Sequence, residues 1–200
     1  MQLVIDCATA ACSIALLDGD RLLDERHEVV GRGHAERLIP MIEEMLGDRV
    51  PDAILVDCGP GSFTGVRVGL AAAHGLAIGW QVPLTGYSSL ALIAAMGGGL
   101  RNVAIALHGG HGQLFVQNYG HDPVAPLDEL QSLLPEQAAV VIEVPTILGS
   151  GAESLVSARG HGEAIEVLPR ASAIRDLPLA LRSLAPRPIY GRGPDAKPMQ

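Results

Sequence analysis

GPGSFTGVRVG occupies residues 59–69, separated by two residues from the apolar run Ala53-Ile-Leu-Val56. A short apolar run, a glycine-rich turn and then a long stretch without acids reads as strand, turn and helix. Such a turn can hold a phosphate, present a nucleophile, or let two backbones come close. Which of these applies decides the fold and the function together.

The phosphate reading has the right context, because backbone amides and the positive end of a helix dipole converge on an anion at such a turn. The glycines at 59, 61 and 65 are spaced G-x-G-x-x-x-G, one residue longer than the dinucleotide fingerprint. That fingerprint also wants an acid about 20 residues later to hold a ribose, and residues 59–121 contain no Asp or Glu. A P-loop is excluded because it needs a lysine, and Lys197 is the only one in the chain. Ser62 is not framed as G-x-S-x-G, so a nucleophile elbow is not indicated. A hydroxyl at this place, Ser62 or Thr64, is expected to cap the helix.

The helix itself carries more information. Gly65, Gly69, Ala73 and Ala77 recur every fourth residue and form a smooth stripe, and Val66, Leu70, His74 and Ile78 form a mostly apolar row beside it. Interior glycines cost a helix about 0.5–1 kcal/mol each relative to alanine. Close packing against another helix, or against the chain's own core, would offset that cost, and the sequence leaves both open.

Working outward, residues 2–8, 12–17 and 21–29 read as strands, the last two joined by Asp18-Gly19-Asp20, a hairpin signal. Residues 34–46 carry Leu38, Met41, Ile42, Met45 and Leu46 at helical spacing, with Pro40 expected to bend or start that helix. Further strands are expected at 53–56 and 82–85 and helices at 64–79 and 87–96, before Gly97-Gly98-Gly99 breaks the pattern. That run divides a first lobe, 1–98, from a smaller second lobe, 99–185, and a tail, 186–200. In the second lobe the pattern suggests strands at 103–107, 113–119, 139–144 and 146–148, and helices at 127–134, 152–158 and 171–184, the last interrupted by Pro178. The expected class is α/β, with helices on both faces of mixed sheets.

Composition supports a globular, cytoplasmic chain. It is 48% hydrophobic and 18% charged, its opening MQLVID has no secretory pattern, and no apolar run is long enough to span a membrane. Cys7, Cys12 and Cys58 have no metal or redox spacing and read as buried free thiols. With 14 basic and 22 acidic residues the formal charge is 14 − 22 = −8, which argues against gripping nucleic acid directly. His108, His111 and His121 lie near one turn but lack completing ligands, so no metal site is expected. Gly149-Ser-Gly151 is a second weak phosphate-type turn. Asp6 and Thr9, at the end of the first strand, either face a ligand or hold their own turn.

Several segments together resemble the TsaB family, also called YeaZ. They are Leu3-Val-Ile-Asp-Cys-Ala-Thr9, Cys12-Ser-Ile-Ala-Leu16, His34-Ala-Glu-Arg-Leu-Ile-Pro-Met41, Gly59-Pro-Gly-Ser-Phe-Thr-Gly-Val-Arg67 with Gly69, Pro83-Leu-Thr-Gly-Tyr-Ser-Ser-Leu90, Leu148-Gly-Ser-Gly-Ala152 and Pro188-Ile-Tyr-Gly-Arg192. The resemblance implies an actin, sugar-kinase and Hsp70-like (ribonuclease H-like) fold of two related lobes, each a mixed sheet flanked by helices. It implies a non-catalytic scaffold that binds TsaD, with TsaE completing the complex that transfers threonylcarbamoyl to the adenosine beside the tRNA anticodon. ATP and metal are then expected on TsaD and none on this chain alone, tRNA is met only through the complex, and the isolated chain forms a homodimer.

On the resemblance, the partner interface falls on the two helices of the first lobe: Leu38, Met41, Ile42, Met45, Gly65, Val66, Gly69, Leu70, Ala73 and His74. A bulky residue at 69 is then expected to abolish TsaD binding and leave a folded chain. Asp6, Thr9, Gly59, Gly61, Ser62 and Thr64 form a possible vestigial phosphate loop, and they are the site of the competing reading, a stand-alone ATP-using enzyme of the same fold. A glycoprotein peptidase, suggested by family naming, lacks a metal pattern or triad frame here. The chain departs from the family at Ala106-Leu-His-Gly-Gly-His-Gly-Gln113, where relatives often carry a charged hairpin.

Overall fold

The computed structural model of the chain describes residues 1–191. Its first sheet contains β1 (Gln2–Asp6), β2 (Ala11–Asp18), β3 (Arg21–Val29), β4 (Ala53–Asp57) and β5 (Leu84–Tyr87). Spatially the order is β3-β2-β1-β4-β5. The β1-β2 and β2-β3 pairs are antiparallel, and β4 lies parallel to both β1 and β5. Helix α1 (His34–Leu46) leads into β4, α2 (Phe63–Trp80) connects β4 to β5, and α3 (Ser89–Met96) follows.

The second sheet contains β6 (Asn102–His108), β7 (Leu114–His121), β8 (Val124–Pro126), β10 (Thr146–Leu148) and β11 (Glu163–Ile165), with β9 (Gln131–Leu133) also on β7; α4 (Pro135–Val141) and α5 (Ala152–Arg159) complete the lobe. Its order, β8-β7-β6-β10-β11, repeats the first sheet strand for strand, with two antiparallel pairs and then two parallel ones. No repeat is visible in the sequence, yet the topology is duplicated. This is the two-lobed actin, sugar-kinase and Hsp70-like fold.

Period-2 alternation builds the layers. Leu3 and Ile5 face α1 and α2 together with Ile14, Leu16, Ile54 and Val56. On the opposite face, Val4, Ala15, Leu17 and Leu55 meet α3, which in turn packs on Val103, Ile105 and Leu107 of the second sheet. Ala104, Ala106, Val116 and Ile147 then face α4 and α5. With apolar neighbours from both sheets, α3 keeps almost no polar side, and residues 89–95 are all buried.

Pro40 lies inside α1 without ending it. In the second lobe the structure departs from expectation. The expected helix at 127–134 is irregular chain with a strand at 131–133, and the expected strand at 139–144 is the end of helix α4 up to Val141 followed by irregular chain. Pro135 is preorganised for a first helical turn, and Ala138 and Ile142 are buried one turn apart. The expected helix at 171–184 is two short 3-10 segments, Ala171–Asp176 and Leu179–Arg182, separated by Pro178. The first returns to the N-terminal lobe: Ala171 N–H donates to Ser13 Oγ (2.9 Å) and Ser172 N–H to Glu25 Oε1 (3.3 Å). Leu184 then exchanges backbone hydrogen bonds with Gly86 on the β5 edge. The tail beyond 191 lies outside the described residues.

Candidate protein-interaction surface

The turn from β4 into α2 is held from within. Ser62 is the cap, its Oγ accepting from Gly65 N–H (3.2 Å), and Ser62 N–H donates to the Ala8 carbonyl (2.6 Å). The alpha carbons of Gly61 and Gly65 rest on the carbonyls of Ala8 and Cys7, where a methyl group would collide with backbone; Gly69 lies against the Cys7 side chain. Glycine is needed here because two backbones touch.

That arrangement corrects the expected interface. Gly65, Val66, Gly69, Leu70 and Ala73 on α2, and Leu38, Met41, Ile42 and Met45 on α1, are buried against the first sheet. They build the chain's own core and present no surface to a partner. His74 alone of the expected set is exposed, and its Nε2 donates to the Pro186 carbonyl (3.0 Å). A bulky residue at 69 therefore attacks the fold itself.

The outward side of the same helices is unusual in another way. Thr64, Ala71, Gly75, Ile78 and Gly79 are exposed along α2, with Val68 and Ala72 half-buried beside them. Ile78 is 78% exposed, and Arg67 is the one charged residue in the 18 of this helix. A methyl group on Gly75 or Gly79 would meet no atom within 4 Å. Ile39 of α1 is also exposed, between Glu36 and Glu43. An apolar helix face normally packs on something.

The rim is polar. Arg37 donates through Nε to Glu28 (2.7 Å) and through Nη1 to Glu44 (2.8 Å), which holds both carboxyls below their usual range. Near the N-terminus of α2 the Arg67 guanidinium stacks 3.3 Å from the Phe63 ring and donates to Tyr190 Oη (3.0 Å). Sequence patterning did not place this C-terminal segment beside α2, since Pro186, Ile189 and Tyr190 reach it only through long-range contacts.

Several polar groups of the residues read as a vestigial phosphate loop are already paired within the chain. Asp57 Oδ1 takes the Gly59 amide (2.8 Å), and the Ser62 and Gly65 amides are spent as described. Asp6 Oδ1 accepts from Ala8 N–H and Thr9 Oγ1 from Ala11 N–H, each at 3.2 Å, so both side chains hold their own turn. Thr64 points to the outer face, and Asp6 is fully buried. Through Gly61 and Ser62 the loop lines one wall of a cavity of about 440 Å³ between the lobes, whose other walls include Arg32, Arg67, His108, Phe115 and Tyr190.

Behind the turn lies a cluster only partly visible in the sequence: Asp6, Asp57 and Tyr87 end three neighbouring strands. Burial pushes the Asp6 carboxyl up to about 6. Burial, and then the neighbouring Asp6, push Asp57 well above the carboxylate range. An acid ending the apolar strand AILVD was the available signal. Among the described residues no three His, Cys, Asp or Glu side chains group as metal ligands, and no helix is long and apolar enough to cross a membrane.

Comparison with known proteins places this architecture. The family model described as TsaD, tRNA N6-adenosine threonylcarbamoyltransferase, matches residues 27–144. The Escherichia coli tRNA threonylcarbamoyladenosine biosynthesis protein TsaB is 37% identical over 60% of this chain and 55% of its own length. The Haemophilus influenzae TsaB is 43% identical over 46% of this chain and 41% of its own length, so the matched segments span about half of these curated relatives. The solved structure of YeaZ from Pseudomonas aeruginosa superposes with a TM-score of 0.80 at 28% identity, over 94% of this chain and 98% of that one. On sequence and on the duplicated fold alike, the chain belongs to the TsaB/YeaZ family.

Proposed function

We propose that this chain is a non-catalytic scaffold subunit in tRNA threonylcarbamoyladenosine biosynthesis, binding TsaD through the outer face of α1 and α2, with TsaE joining the complex. The observation that supports this reading is the charge-poor outer side of α2 around Ala71, Gly75 and Ile78, left exposed by the described residues, in a member of the TsaB/YeaZ family. Small residues at 71, 75 and 79 let a partner helix approach closely, and Ile39 and Ile78 supply apolar area to bury. In isolation the same face would pair two copies of the chain as a homodimer. The complex is expected in the cytoplasm.

ATP and metal belong, on this reading, to TsaD. The stand-alone ATP-using alternative is the weaker reading, because the Gly59, Ser62 and Gly65 amides of the turn are spent on the chain's own groups. A formal charge of −8 fits a subunit that meets tRNA through its partners.

The test is affinity for TsaD measured by calorimetry with the intact chain and with Ile78→Glu and Ala71→Arg. Each variant should keep its melting temperature and lose about tenfold or more in affinity. Unchanged binding by both would place the interface elsewhere.

A further inference from the structure

Cys7 and Cys12 flank the turn that links β1 to β2. The antiparallel register runs from Gln2 opposite Leu17 to Asp6 opposite Ser13, so one step beyond, Cys7 faces Cys12. Their Sγ atoms are 3.9 Å apart, and both side chains are buried. Opposed residues of antiparallel strands have Cα atoms about 4.5–5.5 Å apart, within the span a disulfide bridges. Side-chain rotation can therefore bring the sulfurs to bonding distance, about 2 Å, without moving a strand. Cys58 is different: its Sγ lies 3.7 Å from the Val56 carbonyl and 3.6 Å from that of Ala185.

We propose that Cys7 and Cys12 are a dithiol that a peroxide closes to a disulfide within the folded chain. One thiolate of the pair attacks one peroxide oxygen, the O–O bond breaks, and the departing hydroxide takes up a proton, leaving that cysteine as a sulfenic acid. The second cysteine's sulfur then attacks the first and loses its proton as the S–O bond breaks and water leaves. Two thiols give up two electrons and two hydrogens, and one hydrogen peroxide becomes two waters.

Either sulfur can donate the hydrogen bond between them, so either cysteine can take the place of the nucleophile while the other resolves it. Burial selects a small oxidant, which reaches the pair when the turn opens at exposed Ala10. Because Gly65 and Gly69 rest on Cys7, the cross-link forms directly beneath the first turns of α2.

The experiment treats the full chain with hydrogen peroxide, quenches, unfolds, alkylates and maps the peptides by mass. The expected product is a Cys7–Cys12 linked species lighter by two hydrogens, with Cys58 alkylated and with reversal by dithiothreitol. Cys58→Ser should cross-link as the parent does, and Cys12→Ser should not. Three alkylatable thiols after treatment, or Cys7 and Cys12 separately oxidised to sulfinic acids without a link, would overturn the proposal. The wild-type peptide map decides even if a cysteine variant fails to fold.

Discussion

Asp6 and Asp57 end adjacent parallel strands side by side, both sealed from solvent. The register pairs Ile5 with Val56 and Asp57 with Tyr87, which puts three polar groups in a row at the carboxyl edge of the sheet. Tyr87 Oη donates to Asp6 Oδ2 (3.2 Å), and Ser89 Oγ donates to Asp57 Oδ1. Asp57 Oδ2 is buried and has no hydrogen-bond partner among the described residues. Two adjacent buried carboxylates repel and are poorly solvated, so the pair retains a proton to higher pH than free carboxyls do.

A pH dependence follows. The folded pKa values are raised, so the folded chain binds these protons more tightly than the unfolded chain does. Stability from this pair is complete below about pH 4 and declines as pH rises through the folded value of about 6 for Asp6, with the Asp57 loss extending higher. Asp57→Asn keeps an acceptor for Ser89 and Gly59 and removes the charge beside Asp6. Urea denaturation should show it more stable than the parent at pH 7.5, by on the order of 1–2 kcal/mol, with the difference shrinking at pH 5. A variant less stable at both pH values would refute this account.

The glycines of α2 divide by what lies in front of them. At Gly65 an added methyl is driven into the Cys7 carbonyl, whereas at Gly75 it meets nothing within 4 Å. Gly65→Ala should cost about 3 kcal/mol or fail to fold, and Gly75→Ala should be neutral or stabilising by about 0.5–1 kcal/mol. Thermal melts of the two proteins decide it, and similar effects from both would contradict the seating described.

Gly69 and Ile78 make the corresponding pair for binding. Gly69→Leu should unfold the chain because the site faces Cys7, while Ile78→Glu should leave the melting temperature within about 2 °C and impair self-association as well as TsaD binding. Sedimentation of the isolated Ile78→Glu chain at rising concentration checks the first effect. Unaltered self-association would detach the homodimer from this face.

Arg159 serves the second lobe as a clamp on backbone. Its Nη1 donates to the carbonyls of Ile142 and Val144 (2.9 Å each), its Nη2 to Pro145 (3.2 Å) and its Nε to His161 (3.0 Å). Arg159→Ala should destabilise by on the order of 2 kcal/mol, and amide exchange should quicken in α4 and β10 before the first lobe. Uniform exchange across both lobes would count against a local role.

The first lobe was largely legible in the sequence, because long alternating runs and a helix of small and apolar residues are punctuated by Asp18-Gly19 and by Ser62. The second lobe was less so: Val140-Val-Ile142 suits a strand as well as a helix, and Pro135 with the burial of Ala138 and Ile142 settled it. By itself the sequence determined that α2 carries a stripe of small residues and that the chain resembles the TsaB family. Only the tertiary structure decided which way the stripe faces, since a partner helix and the chain's own first strand ask for the same small residues. The carbonyls of Cys7 and Ala8 occupy that space, and the exposed face of α2 is the opposite one, around Ala71, Gly75 and Ile78.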